Sequence, residues 1–177
     1  CSTPTLIYTP DHRRIDQLGA TLSKDFAPVV VRAEAVYTHG GEFPVTRLND
    51  PDGVVQQDFI DYAVGVDYEG LAQTRLNVQL FQPWIPEHDA DIGYKALESG
   101  VTLFAGTTVM EGRIEPQLLV MTGLNRGDWL ARPHLIWHAG PHWRWTVGVD
   151  LFGGSRQGLF GRYDGEDRVY GELRYSF

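Results

Sequence analysis

The sequence has a single cysteine, Cys1, so it can build neither an internal disulfide framework nor a cysteine-based zinc site. It has no excess of positive charge. Fifteen Lys and Arg stand against 23 Asp and Glu, a net charge of −8, which argues against the basic face that nucleic acid requires. No run approaches the ~18 apolar residues of a membrane-crossing helix; clusters such as Val29–Val31 are far too short. No basic segment followed by an apolar stretch marks a secretory leader. Helical periodicity is almost missing too.

What the 177 residues do have is hydrophobic content (42%), aromatic side chains (12%, with five Trp and eight Tyr) and 20 Gly, enough for one domain over residues 1–177. They alternate with period two, segment after segment. In Val29–His39, Val29, Val31, Ala33, Ala35 and Tyr37 oppose Arg32, Glu34 and Thr38. In Trp143–Leu151, Trp143, Trp145, Val147, Val149 and Leu151 oppose Arg144, Thr146, Gly148 and Asp150. Similar patterns occupy Asp16–Phe26, Asp58–Tyr68, Thr74–Phe81, Val101–Met110, Ile114–Gly123 and Trp129–His138, and a last strand runs from Val169 to Phe177. The expected fold is all-β: about eight to nine antiparallel strands, several of them ~9–11 residues long, the length that crosses a bilayer at a tilt.

A soluble β-sandwich or lipocalin-like barrel alternates in the same way. Two features favour a transmembrane β-barrel. Large aromatics stand near the strand ends of the apolar face, at Tyr37, Tyr68, Trp129, Trp137, Trp143 and Trp145, as a membrane-interface belt selects. The connections also alternate in length. Lys24–Pro28, Glu69–Ala72, Met110–Arg113 and Ala139–His142 are tight, Asn125–Asp128 is moderate, and His39–Val54, Gln82–Gly100 and Gly153–Asp167 are long. Outer-membrane barrels have short periplasmic turns and longer outer loops.

The face opposite the aromatics is expected to line a lumen. It carries Arg32, Arg75, Arg132, Arg144, Arg168 and Arg174 against Glu34, Asp61, Asp67, Glu115, Asp150 and Glu172, with His134 among them. A strongly ion-selective pore lines its constriction with one sign. This balance points to cross-strand ion pairs on a wet wall, as much structural as selective.

Catalytic and metal signals are weak. His134 and His138 point the same way on one strand, but about 13 Å apart at ~3.3 Å per residue, too far to share a metal ion. Ser2, Ser23, Ser99, Ser155 and Ser176 lack the GxSxG setting. Glu87, Asp89 and Asp91, around His88, form an acidic loop patch that is more simply a solvated loop than a cation site. GGSRQG at Gly153–Gly158 lacks the Lys-Ser/Thr and helix of a phosphate loop. No enzyme activity, cofactor or metal is expected.

The terminal VYGELRYSF resembles the carboxy-terminal signal of bacterial outer-membrane proteins, an aromatic last residue with apolar residues at alternate positions before it. Val169, Leu173, Tyr175 and Phe177 match, while Gly171 departs. The resemblance implies recognition by the outer-membrane assembly machinery. RIDQLGATLSKDF, VVVRAEAVYTHGGEF and LFGRYDGEDRVYGELRYSF are similar to the carboxy-terminal region of a family of large, poorly characterised proteobacterial outer-membrane proteins. That family is thought to accompany export systems for hydrophobic compounds, which implies a transport role.

With tight turns on the periplasmic side, nine strands put the start of the first strand at the cell surface. Single-chain bacterial barrels have even strand numbers. Either strands precede Cys1, or the first strand lies outside a barrel that closes as eight over Val29–Phe177; the former, making this chain part of a larger barrel, is preferred. Cys1 would carry lipid in a mature lipoprotein, a placement this topology opposes. The expected function is passage or export of solutes across the bacterial outer membrane. The alternatives are a structural or adhesion barrel acting through its loops and, third, an outer-membrane hydrolase.

Overall fold

The structure is a computed structural model that describes residues 13–47 and 52–177. Cys1, and the strands expected before it, lie outside the described residues. Nine antiparallel strands form one sheet in chain order: β1 (Asp16–Phe26), β2 (Val29–Pro44), β3 (Val54–Tyr68), β4 (Thr74–Trp84), β5 (Gly100–Thr107), β6 (Ile114–Gly123), β7 (Asp128–His138), β8 (Trp143–Gly153) and β9 (Arg168–Tyr175). The one helical piece among the described residues is a single 3-10 turn, Gly161–Tyr163. No helix here is long and apolar enough to cross a membrane, which says nothing about crossing by strands.

The sheet is open. Among the described residues β1 pairs only with β2 and β9 only with β8, so the closed barrel expected from the sequence is not observed. Closure of Val29–Phe177 as eight strands is not observed either, because β2 gives its second edge to β1 along Asp16–Phe26. The other differences are at strand ends. β2 and β3 continue past His39 and before Asp58, across a register shift between Thr38 and Gly41, so the loop expected over His39–Val54 is much shorter. Gly41 fits there because the Phe59 ring lies where its Cβ would be, at 2.4 Å. β4 continues to Trp84, while β5 ends at Thr107. Inside the sheet, the β7–β8 ladder is interrupted at Pro133, which has no N–H to give, and resumes in the same register at His134 opposite Gly148.

The register sorts the side chains. Directly opposite residues of an antiparallel pair share a face. One row runs Val31, Val66, Val78, Leu103, Val120, Ala131 and Leu151 across β2–β8. This outer face is exposed across the whole sheet: Leu18 is 76% accessible, Val78 51%, Val147 55% and Val169 75%. The small core sits on the other side, mostly near the long loops. Ile85, Ile92, Leu130 and Phe160 are buried there, with Ala63 and Ile136.

Candidate functional site

The inner face is the candidate site. The register gathers Arg32, Glu34, Asp61, Asp67, Arg75, Glu115, Arg132, His134, Arg144, Asp150, Arg168, Glu172 and Arg174 on this one face. Several form the cross-strand pairs that a balanced wall implies. Arg32 Nε lies 3.1 Å from Asp67 Oδ2, and Asn77 Nδ2 donates to Asp67 Oδ1 at 2.8 Å, linking β2, β3 and β4. Asp150 is only 1% exposed and accepts from Arg132 Nε at 2.7 Å and from Arg168 Nε, linking β7, β8 and β9. His138 Nε2 meets Glu115 Oε1 at 2.8 Å, and Arg174 meets Glu172 at 3.5 Å. Arg75 stacks on the Phe104 ring, 5.9 Å from its centroid. Among the described residues, Glu34 and Asp61 make no ion pair.

The inner wall is not only charged. Its upper half, toward the long loops, carries Phe59, Phe81, Leu119, Met121, Leu130 and Phe152. The expectation had placed no large apolar side chain here. The available signal was a pair of adjacent apolar residues within a strand, as in Leu118–Leu119, Trp129–Leu130 and Leu151–Phe152. Such pairs break strict alternation and mean that both faces of the strand are covered.

Loops provide the second cover. The 154–167 loop turns in over the upper wall, and Phe160 N–H donates to the buried carboxylate of Asp128 at 2.7 Å. The 85–99 loop leans over the same end: Ile85 N donates to Ala96 O at 2.7 Å and Glu98 N to Pro83 O at 3.1 Å. The short β6–β7 turn ties the two together. Arg126 donates to Gly93 O at 3.1 Å, pairs with Glu98 at 3.3 Å and donates to Gln157 O; Asn125 accepts from Ser99 N and donates to Leu97 O at 3.0 Å.

The acidic EHDAD patch holds a guanidinium. Arg47 Nη1 lies 3.0 Å from Asp89 and 3.4 Å from Asp91. The Asp91 backbone N–H first, and then Arg47, hold the Asp89 carboxyl below the usual carboxylate range. Among the described residues, no three His, Cys, Asp or Glu side chains come together as a metal ion would need.

On the outer face, aromatics form two rows. Tyr37, Trp84 and Trp129 stand at the long-loop end, with Tyr37 and Trp84 flanking Ile60 in one register row. Phe26, Tyr68, Trp137, Trp143, Trp145 and Tyr175 stand at the tight-turn end, where Trp143 and Tyr175 pack at a tilt with centroids 4.8 Å apart. Phe26 and Trp84 complete rows that the sequence suggested only in part. Trp84 lies past the end expected for its strand. Val169, Leu173 and Tyr175 share this outer face and are exposed, as is Phe177 beyond the strand.

Compared with protein-family models, with curated proteins and with solved structures, the chain matches none of them.

Proposed function

We propose that this chain is a wall of a bacterial outer-membrane β-barrel that passes or exports solutes, without catalysis. The observation that carries the proposal is the outer face. It is mainly apolar over nine strands, with Lys24 and Gln82 as exceptions, its large side chains are exposed or half-exposed, and an aromatic row bounds it at each end. Water-soluble monomers rarely expose contiguous apolar patches beyond a few hundred Å². On β7 the two rows are marked by Trp129 and Trp137, eight residues apart. That is about 26 Å along the strand at ~3.3 Å per residue, on the scale of the ~25 Å apolar band of such barrels. The bilayer is then the partner of this face, and the Val169, Leu173, Tyr175 and Phe177 pattern is the handle for the assembly machinery. An export system for hydrophobic compounds is the proposed functional partner.

Strand direction supports the preference for a larger barrel. β1 and β9 both run from the long-loop end to the tight-turn end, so joining these edges directly would make a parallel pair. Strictly antiparallel closure takes an odd number of further strands. The inward lean of the 85–99 and 154–167 loops favours a narrowed solute path over an adhesin that projects its loops.

The test is single-channel recording of the native protein in planar phospholipid bilayers. Discrete conductance steps are the expected result. Efficient membrane insertion with no conductance under any gradient would sink the passage reading and leave the structural barrel.

A further inference from the structure

Three cavities run in series along the inner face of β1–β4. The first, near the tight turns, holds about 360 Å³ between Ser23, Arg32, Glu34, Gly65 and Asn77. The second, about 190 Å³, lies between Glu34, Asp61, Gln79 and Phe81. The third, about 490 Å³, lies beneath the 85–99 loop and is walled by Ile15, Phe59, Asp61, Pro83, Ile85 and Tyr94.

Glu34 lines both the first and the second cavity, and Asp61 both the second and the third. Each junction of the track therefore carries an exposed carboxylate, and among the described residues neither has a hydrogen bond or an ion pair. Most other charges along the track are met. Arg32 is held by Asp67 at 3.1 Å, Arg13 by Glu42 at 3.1 Å and by Asp52 at 2.7 Å, and Glu98 by Arg126 at 3.3 Å. Lys95 stands exposed on the loop at the mouth. The overall balance of signs on the inner face thus hides a local surplus. On β7–β9 two guanidiniums, Arg132 and Arg168, meet the one carboxylate of Asp150 and leave that side positive, whereas the β2–β3 wall sets Arg32 against Glu34, Asp61 and Asp67 and is negative where the cavities meet.

The third cavity is also aromatic. Phe43 and Phe59 pack edge to face with centroids 5.4 Å apart, and Tyr94 closes the loop side. Aromatic faces attract cations, and apolar walls hold an organic body. We infer that this track takes amphipathic organic cations, an ammonium group on an aromatic or alkyl body, with the ammonium handed from Asp61 to Glu34 while the body rests against Phe59, Pro83 and Ile85. The inference names the solute class of the proposed passage and rests on that reading.

The test uses the native protein in detergent and three probes of one shape: 4-phenylbutylammonium, 4-phenylbutanol and 4-phenylbutyrate. Equilibrium binding is expected to favour the ammonium over the carboxylate at least tenfold. Asp61→Asn and Glu34→Gln should each cut that preference several-fold, and Glu111→Gln, in the exposed β5–β6 turn, should leave it unchanged. Equal binding of ammonium and carboxylate by the native protein overturns the inference, as does a preference that survives both substitutions. Should either variant fail to fold, the native three-probe comparison and the other variant still decide. Planar-bilayer recording separates the two readings. Conductance without cation preference overturns the solute class and keeps the passage. Cation-selective binding without conductance keeps the site and removes the passage.

Discussion

Asp128 is 2% exposed, yet its side chain is polar. Its carboxylate accepts the Phe160 N–H, its backbone carbonyl accepts Thr122 Oγ1 at 3.1 Å, and Gly158 packs so closely that a Cβ there would lie 2.1 Å from the carboxylate carbon. Asp128→Ala would leave a buried N–H unpaired, a cost of about 1–3 kcal/mol. Asp128→Asn, which keeps an acceptor, should recover part of it. Urea titration in micelles gives the stability, and amide exchange at Phe160 should accelerate in the Ala variant alone. Asp89 is half-buried, and Asp91 N–H and Arg47 hold its carboxyl below the usual range. Its folded value lies below the unfolded one, so its contribution is complete above a carboxylate's ordinary ~3.9 and is lost as pH falls through the lowered value. The clasp between residue 47 and the 89–91 stretch should therefore persist at pH 5 and open only below about pH 4. A carboxyl carbon titration by NMR should place Asp89 below the ordinary value. Arg47→Gln should raise its midpoint only part of the way, because the larger contribution comes from the backbone N–H.

The 85–99 and 154–167 loops behave as elements because one short turn holds both. Two lost hydrogen bonds at about 0.7 kcal/mol each amount to a factor of ten in an opening equilibrium. Arg126→Ala, which removes contacts to Gly93, Glu98 and Gln157, should raise the rate of protease nicking in both loops about tenfold or more. Cleavage confined to one loop would show that Arg126 does not couple them. This latch was not legible in the sequence, since Asn125–Asp128 reads only as a moderate turn. The strands were legible, because one face of the sheet is mainly apolar and the other mainly polar, and period-two alternation follows from that. Their ends were less so. β4 continues to Trp84 through Pro83, a residue that usually marks the end of a ladder, and β2 continues past Thr38 through a bulge that resets its register. The inner apolar wall stayed hidden for a related reason. Period-two reading assigns apolar residues to one face, and Leu119, Leu130 and Phe152 sit on the other, where Leu130 is buried and Phe152 meets Tyr163 of the 154–167 loop.

For the whole molecule, the deciding contrast is between two surrounds for the outer face, water or lipid. Val149 and Thr146 lie three residues apart on β8 and point to opposite faces. Val149 sits midway between the row marked by Trp145 and the Trp129–Gly153 pair, with Val169 directly opposite it on β9. If the outer face is solvated, as on a soluble sheet, Val149→Arg replaces an accessible side chain with a charged one and should change stability by no more than about 0.5 kcal/mol. If it faces lipid, the same change puts a guanidinium near the bilayer midplane and should cost about 2–4 kcal/mol. Thr146→Arg is the internal control. It adds the same charge on the inner face opposite Glu172, and should be near neutral in either surround. Reversible urea unfolding from phospholipid vesicles measures both variants on one scale. A large loss for Val149→Arg beside a small one for Thr146→Arg assigns the outer face to lipid. Equal small effects would return it to water, and with it the whole sheet to a soluble sandwich, because every strand from β1 to β9 shares that face.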